Sequence, residues 1–147
     1  MGEETPPNLP CSTISREDYR ALSEFRYLLR RFLEFSQQAA RGVGLQPRQH
    51  QAMLAIKGFP EDRAVTIGDL AERLRIRHHS AVELVDRLSE AKLVVREPDP
   101  SDQRRVFLVL TAKADAYLAK LAHTHLDELS RIGPLLKRIP VRDGGKR

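Results

Sequence analysis

The sequence predicts a mainly α fold of the α+β kind, and three observations carry that expectation. Two short amphipathic runs, Thr66–Leu74 and His78–Leu88, are separated by only three residues. After Leu93 the apolar period turns from helical to extended over Val94–Glu97 and Val106–Leu110, and the eight residues between hold two prolines, two aspartates and a serine. Longer helical stripes lie on both sides of this region. Helix, tight turn, helix and then a two-stranded ribbon is the plan of a winged helix-turn-helix.

Taken in order, the first fourteen residues, MGEETPPNLPCSTI, lack a charged-then-apolar leader and read as a disordered arm. Ser15 followed by Asp18 is a capping box that starts a helix at Arg16, with Ile14 and Tyr19 as its staple. Tyr19, Leu22, Phe25, Leu28, Leu29, Phe32, Leu33, Phe35, Ala39 and Ala40 form a stripe wider than one helix contact uses, and Gly42 and Gly44 end it. The helix has about 26 residues and a length of roughly 39 Å. An oversupply of large apolar groups on a long helix points to pairing with a second copy. Pro47 suits the first turn of a second helix, through Ala52, Leu54 and Ile56 to Gly58. Phe59–Arg63 is a loop, and Ala64–Thr66 is short enough to be a third strand.

Thr66 with Asp69 forms a second capping box, and Val65 with Leu70 a staple. Leu70, Ala71 and Leu74 then share a core with Ala81, Leu84, Val85 and Leu88 across the link Arg75, Ile76, Arg77. The face left over carries His78, His79, Val82, Glu83 and Asp86. Thr111 caps a last amphipathic helix from Ala112 to about Ile132, with Ala114, Tyr117, Leu118, Leu121, Ala122, Leu126 and Leu129 as its buried side. Gly133 and Pro134 are expected to interrupt it before a short turn, Leu135–Ile139. The remainder is a basic tail, 140–147.

At 147 residues the chain is one domain's length, and with 5% aromatic residues and no tryptophan its core must be mainly aliphatic. It has no apolar run of about 18 residues, so no membrane partner is expected and a cytoplasmic location is. The net charge of +5 and pI near 9.7 suggest nucleic acid at first sight. That excess lies wholly in residues 131–147, and residues 72–105 carry eight basic against seven acidic side chains. Any case for DNA must therefore rest on where individual arginines lie. The single cysteine, Cys11, can form no disulfide within the chain and has Arg16 as its nearest cation in sequence, so an inert thiol is the plainer reading.

The stretch LAERLRIRHHSAVELVDRLSEAKLVVREPDPSDQRRVFLVLT resembles the core of the MarR family of bacterial transcriptional regulators, with helix, turn, recognition helix, D-P-S-D-Q-R wing and closing L-T in order and without a gap. Weaker similarity runs from about Tyr19 to Ile139. The resemblance implies a homodimer on a pseudo-palindromic double-stranded DNA operator. Residues 15–44 and 111–139 would pair the subunits, and 45–110 would form the winged helix-turn-helix. It implies that Asp102 orients Arg104, which enters the minor groove, and that a small aromatic effector is a candidate ligand, with Phe25, Phe32, Met53 and Tyr117 as candidate linings. Repression is the expected output.

Residue chemistry agrees with that reading. The recognition helix opens with Arg77, His78, His79 and Ser80, which can donate to guanine acceptors or phosphates, and Val82 offers an apolar contact to a thymine methyl. Glu83 either accepts from a cytosine amino group or is neutralised by Arg87, itself a candidate backbone contact or partner for Asp86. The sequence departs from the family at Arg77, where a capping serine is usual, and at Glu83. On the wing, Asp102, Gln103, Arg104 and Arg105 stand at a ribbon tip, where a planar cation suits a narrow groove. A solvated helix face and solvated loop arginines are the plainer alternatives, and a winged-helix protein-interaction module is the rival function. His123 and His125 fall on different helix faces, no nucleophile motif accompanies His50, and there is no Gly-rich phosphate loop. No metal, cofactor or catalytic site is therefore expected.

Overall fold

The structure, a computed structural model, describes residues 14–140. The expectations for Cys11, most of the N-terminal arm and the basic tail fall on 1–13 and 141–147, outside the described residues. The chain forms α1 (Arg16–Gly42), α2 (Pro47–Lys57), β1 (Val65–Thr66), α3 (Ile67–Leu74), α4 (His78–Glu90), β2 (Val94–Pro98), β3 (Val106–Leu110) and α5 (Ala112–Lys137). Both capping boxes form. The Ser15 hydroxyl accepts from the Asp18 amide at 3.2 Å and the Asp18 carboxylate accepts from the Ser15 amide at 2.8 Å; Thr66 and Asp69 repeat the exchange at 3.2 and 2.9 Å. Two otherwise orphaned amides are satisfied at each helix start, which is why α1 and α3 begin where they do.

The sheet is antiparallel in the order β1-β3-β2, with Val65 opposite Leu108 and Val94 opposite Leu110. Its period of two puts Val94 and Leu108 inside and Val95 and Val109 outside. The inner face completes one aliphatic core with Met53 of α2, Leu70 of α3, Leu84, Val85 and Leu88 of α4, and Ala114, Leu118 and Leu121 of α5. Arg63 ties the preceding loop to the start of α3 through two bonds to Asp69, at 2.6 and 3.0 Å. That contact, and then the capping bonds from Thr66, hold the Asp69 carboxyl well below the usual carboxylate range.

The joint between α4 and α5 is closed by hydrogen bonds. Lys92 adopts the left-handed conformation at φ 59° just past α4, which turns the carbonyls of Ala91 and Lys92 toward the last helix. The Thr111 hydroxyl donates to the Lys92 carbonyl at 2.7 Å, and the Lys113 ammonium donates to the Ala91 carbonyl at 2.9 Å. Carbonyls just past the end of one helix are thus satisfied by the N-cap and first turn of another.

Two expectations for α5 need correction. The helix is not interrupted at Gly133 and Pro134 but continues to Lys137. A proline ring meets the N–H and Cβ of the residue before it and the carbonyl four residues back; Gly133 has no Cβ, which removes one part of that cost near the helix end. Nor do Ala122, Leu126 and Leu129 belong to the buried side: Leu126 is 61% exposed and Leu129 49%. The inward positions of that stretch are held by His125, Glu128 and Ile132. On α1, Leu22, Phe25, Leu29 and Leu33 are likewise exposed while Leu28 is buried.

His125 bridges α5 to α1, its ring nitrogens contacting the Leu121 carbonyl at 2.7 Å and the Ser36 hydroxyl at 2.8 Å. The ring of His50 from α2 lies against it, with centroids 4.9 Å apart. Burial, and then the nearby His125, lower the pKa of His50. The folded protein therefore holds fewer protons at this site than the unfolded chain once the pH drops below the ordinary histidine value. Stability from this site is complete above that value and is lost as pH falls toward the depressed one. We expect the urea midpoint to fall between pH 7 and pH 5, above the range where carboxylates titrate. His50→Gln should flatten that fall; an unchanged pH profile in the variant would remove His50 as its source.

Candidate nucleic-acid interface

The residues that could meet a ligand lie on the side of α4 turned away from the core. α4 buries Ala81, Leu84, Val85 and Leu88, and the 3.6-residue period then leaves His78, His79, Glu83, Asp86 and Arg87 exposed, with Ser80 and Val82 half-buried. The turn before it is tight: Arg75 is left-handed at φ 54°, and the Ile76 amide donates to the Ala71 carbonyl at 3.0 Å. Arg77 sits at the N-cap in extended geometry without a side-chain capping bond. A serine there would accept from a first-turn amide, so its replacement leaves the amides of this turn without a side-chain acceptor and the helix start electropositive.

The wing tip is ordered by two aspartates. Asp99, buried at the base, accepts from the Ser101 hydroxyl at 2.7 Å and the Ser101 amide at 2.8 Å, and these bonds hold its carboxyl below the usual range. The Asp99 amide donates to the Arg105 carbonyl at 3.1 Å and closes the loop. Asp102 does not hold the Arg104 guanidinium as the resemblance implied. Its carboxylate accepts from the Arg104 backbone amide at 3.0 Å, and its carbonyl accepts from the Arg105 amide at 3.0 Å. A short aspartate side chain reaches an amide two residues on more readily than a guanidinium directed outward. Asp102, Gln103, Arg104 and Arg105 are all exposed, and among the described residues the two arginines make no side-chain hydrogen bond or ion pair.

Asp86 is likewise differently employed. It pairs with Arg96 of β2, not with Arg87, so the carboxylate braces the recognition helix against the wing strand. Among the described residues Glu83 and Arg87 form no ion pair. The brace and the wing arginines bring the expected residues onto one side: His78, Arg104 and Arg105 line a crevice of about 230 Å³ together with Thr66, Ile67 and Gly68. The four candidate effector linings do not come together. Phe25 and Phe32 share an apolar groove of about 170 Å³ with Leu28 and Leu129, whereas Met53 is fully buried in the core and Tyr117 packs against it. Among the described residues no group of three His, Cys, Asp or Glu gathers as a metal site, and no helix is long and apolar enough to cross a membrane.

Sequence reasoning missed Arg96, Arg63 and the His50–His125 pair. The first two show only as charges at unremarkable spacings, and the histidines are distant in the chain.

Residues 43–105 match the model of the MarR family. The chain is 39% identical over 93 residues to YcgE of Bacillus subtilis strain 168, an uncharacterized HTH-type transcriptional regulator, across 63% of this chain and 58% of that protein. A second regulator of that organism, YkoM, is 27% identical over 115 residues, covering 76% of this chain and 73% of its own. Among solved structures, AbsC, a MarR family transcriptional regulator from Streptomyces coelicolor, superposes with a TM-score of 0.68 at 21% identity, over 80% of this chain and 79% of AbsC. A Staphylococcus aureus MepR–DNA complex superposes with 0.66 at 18%, over 80% and 85%. At these identities the superpositions speak for the fold.

Proposed function

We propose that the chain, whose residues 43–105 match the model of the MarR family, is a homodimeric, sequence-specific DNA-binding transcriptional regulator whose output is repression. One observation carries the reading: the start of α4 and the wing arginines Arg104 and Arg105 border the same crevice, so a helix sized for the major groove and cations suited to the minor groove act on the same side. In this reading Arg77, His78, His79, Ser80, Val82, Glu83 and Arg87 approach the major groove, and Gln103, Arg104 and Arg105 the neighbouring minor groove. That MepR has been captured on DNA supports the same use of the fold. Residues 45–110 are the reading unit and 15–44 with 111–139 the pairing unit of a cytoplasmic protein that performs no catalysis.

Pairing is supported by apolar groups that the single chain leaves in water. Leu22, Phe25, Leu29 and Leu33 of α1 and Leu126 and Leu129 of α5 are each more than 40% exposed. Covering them on a second copy returns roughly 25 cal/mol for each Å² removed from water. Sedimentation should give a dimer at micromolar concentration, with two recognition helices set for successive major grooves. A stable monomer would reject the pairing.

The functional test is genomic footprinting to find the operator, followed by its affinity and that of a random duplex over a salt series. Tight operator binding that weakens steeply with salt is expected. Salt-insensitive binding to a protein partner, with no preferred DNA site, would instead favour an interaction module.

A further inference from the structure

The side of α4 opposite the wing carries a second crevice, of about 500 Å³, bounded by three elements. Arg41 comes from the last turn of α1, Arg48 from the first turn of α2, and Ser80, Glu83 and Arg87 from the outward face of α4. The three arginines are exposed, and among the described residues none forms an ion pair. Three forked cations thus surround one carboxylate, Glu83, on a face continuous with the one assigned to base reading.

We propose that this crevice seats the sugar-phosphate strand bordering the major groove, with Arg41, Arg48 and Arg87 as its phosphate-positioning residues. The inference rests on the DNA reading above and extends it to α1 and α2. Its physical basis is a matter of size. A helix with its side chains is about 10–12 Å across and the major groove about 12 Å wide, so a helix that enters it fills it. Whatever flanks that helix must then meet the two phosphate walls. On one flank lie Arg104 and Arg105; on the other lie Arg41 and Arg48, whose planar forks match phosphate oxygens. The same arrangement accounts for Glu83, since a carboxylate facing phosphates is tolerated where three neighbouring cations offset its charge.

Phosphate contacts hold register and carry no sequence information. Arg41→Ala and Arg48→Ala, alone and together, should weaken binding to the operator and to a random duplex by the same factor. Each should also lower the log–log salt slope by about 0.9 per subunit, or about 1.8 for the bound dimer. Arg48→Lys should keep most of that slope, which separates lost charge from lost structure. A purely structural role, such as Arg41 complementing the dipole at the end of α1, would change the melting temperature and leave the slope alone. An unaltered slope in the double variant, with Arg104→Ala still lowering it, would overturn this seat and leave the DNA reading standing. Unaltered slopes in all of them would bring down the DNA reading itself. A change in the operator-to-random ratio would show base contact and overturn the positioning role.

Discussion

Arg104→Ala is expected to weaken binding to every duplex by about 1 to 3 kcal/mol and to flatten the salt slope by about one for each subunit bound. The guanidinium is exposed at the wing tip and makes no ion pair among the described residues, so its charge is available to a partner without first breaking a bond. The minor groove offers a degenerate pattern, so the loss should be common to operator and random sequences. Asp102 supplies a sharper check. Its carboxylate orders the loop through the Arg104 amide at 3.0 Å, a bond that an asparagine oxygen can also accept. Asp102→Asn should therefore retain most of the affinity, while Asp102→Ala loses part of it by leaving the loop to be ordered during binding. Equal losses in both would return the role to the carboxylate's charge. His78 and His79 variants should shift which operators are preferred more than the general affinity. If Arg104→Ala changes neither affinity, the wing does not touch DNA.

Leu88→Ala should destabilise the fold by about 2 to 5 kcal/mol, the range for removing a buried leucine where neighbours cannot collapse into the space. Leu88 has no exposed surface and shares the core with Leu93, Val94 and Met53, so it is among the side chains that anchor the recognition helix. At fixed protein concentration, the denaturation midpoint should fall with little change in slope. A loss under about 1 kcal/mol would mean that the core repacks there and that α4 is held elsewhere.

Much of this architecture is legible in the sequence because it is set locally. Ser15 with Asp18 and Thr66 with Asp69 satisfy amides within one turn, and their spacing alone announces helix starts. The switch from helical to extended period after Leu93 locates the sheet to within a residue. What was not legible depends on angles between elements. Arg96 meets Asp86 only because β2 lies beside α4 in the fold, and a nearer arginine on the same helix looks equally eligible on paper. His50 and His125 meet because α2 and α5 converge behind Ser36. Leu126 and Leu129 match the periodicity of a buried side, and periodicity cannot distinguish a chain's own core from the surface of a pair. Asp102 stands at a recognisable place, yet whether it takes an amide or a guanidinium is decided by loop geometry.

The hydrogen bonds from Thr111 and Lys113 to the carbonyls past the recognition helix tie the end of α4 to the base of α5. With 26 residues, α5 is a lever of roughly 39 Å, and tilting its far end by about 5° carries the near end through about 3 Å. Should the far end of α5 meet a second copy, as proposed above, a rocking of that size there would move the near end by close to the 3.4 Å rise of one base pair along a DNA strand.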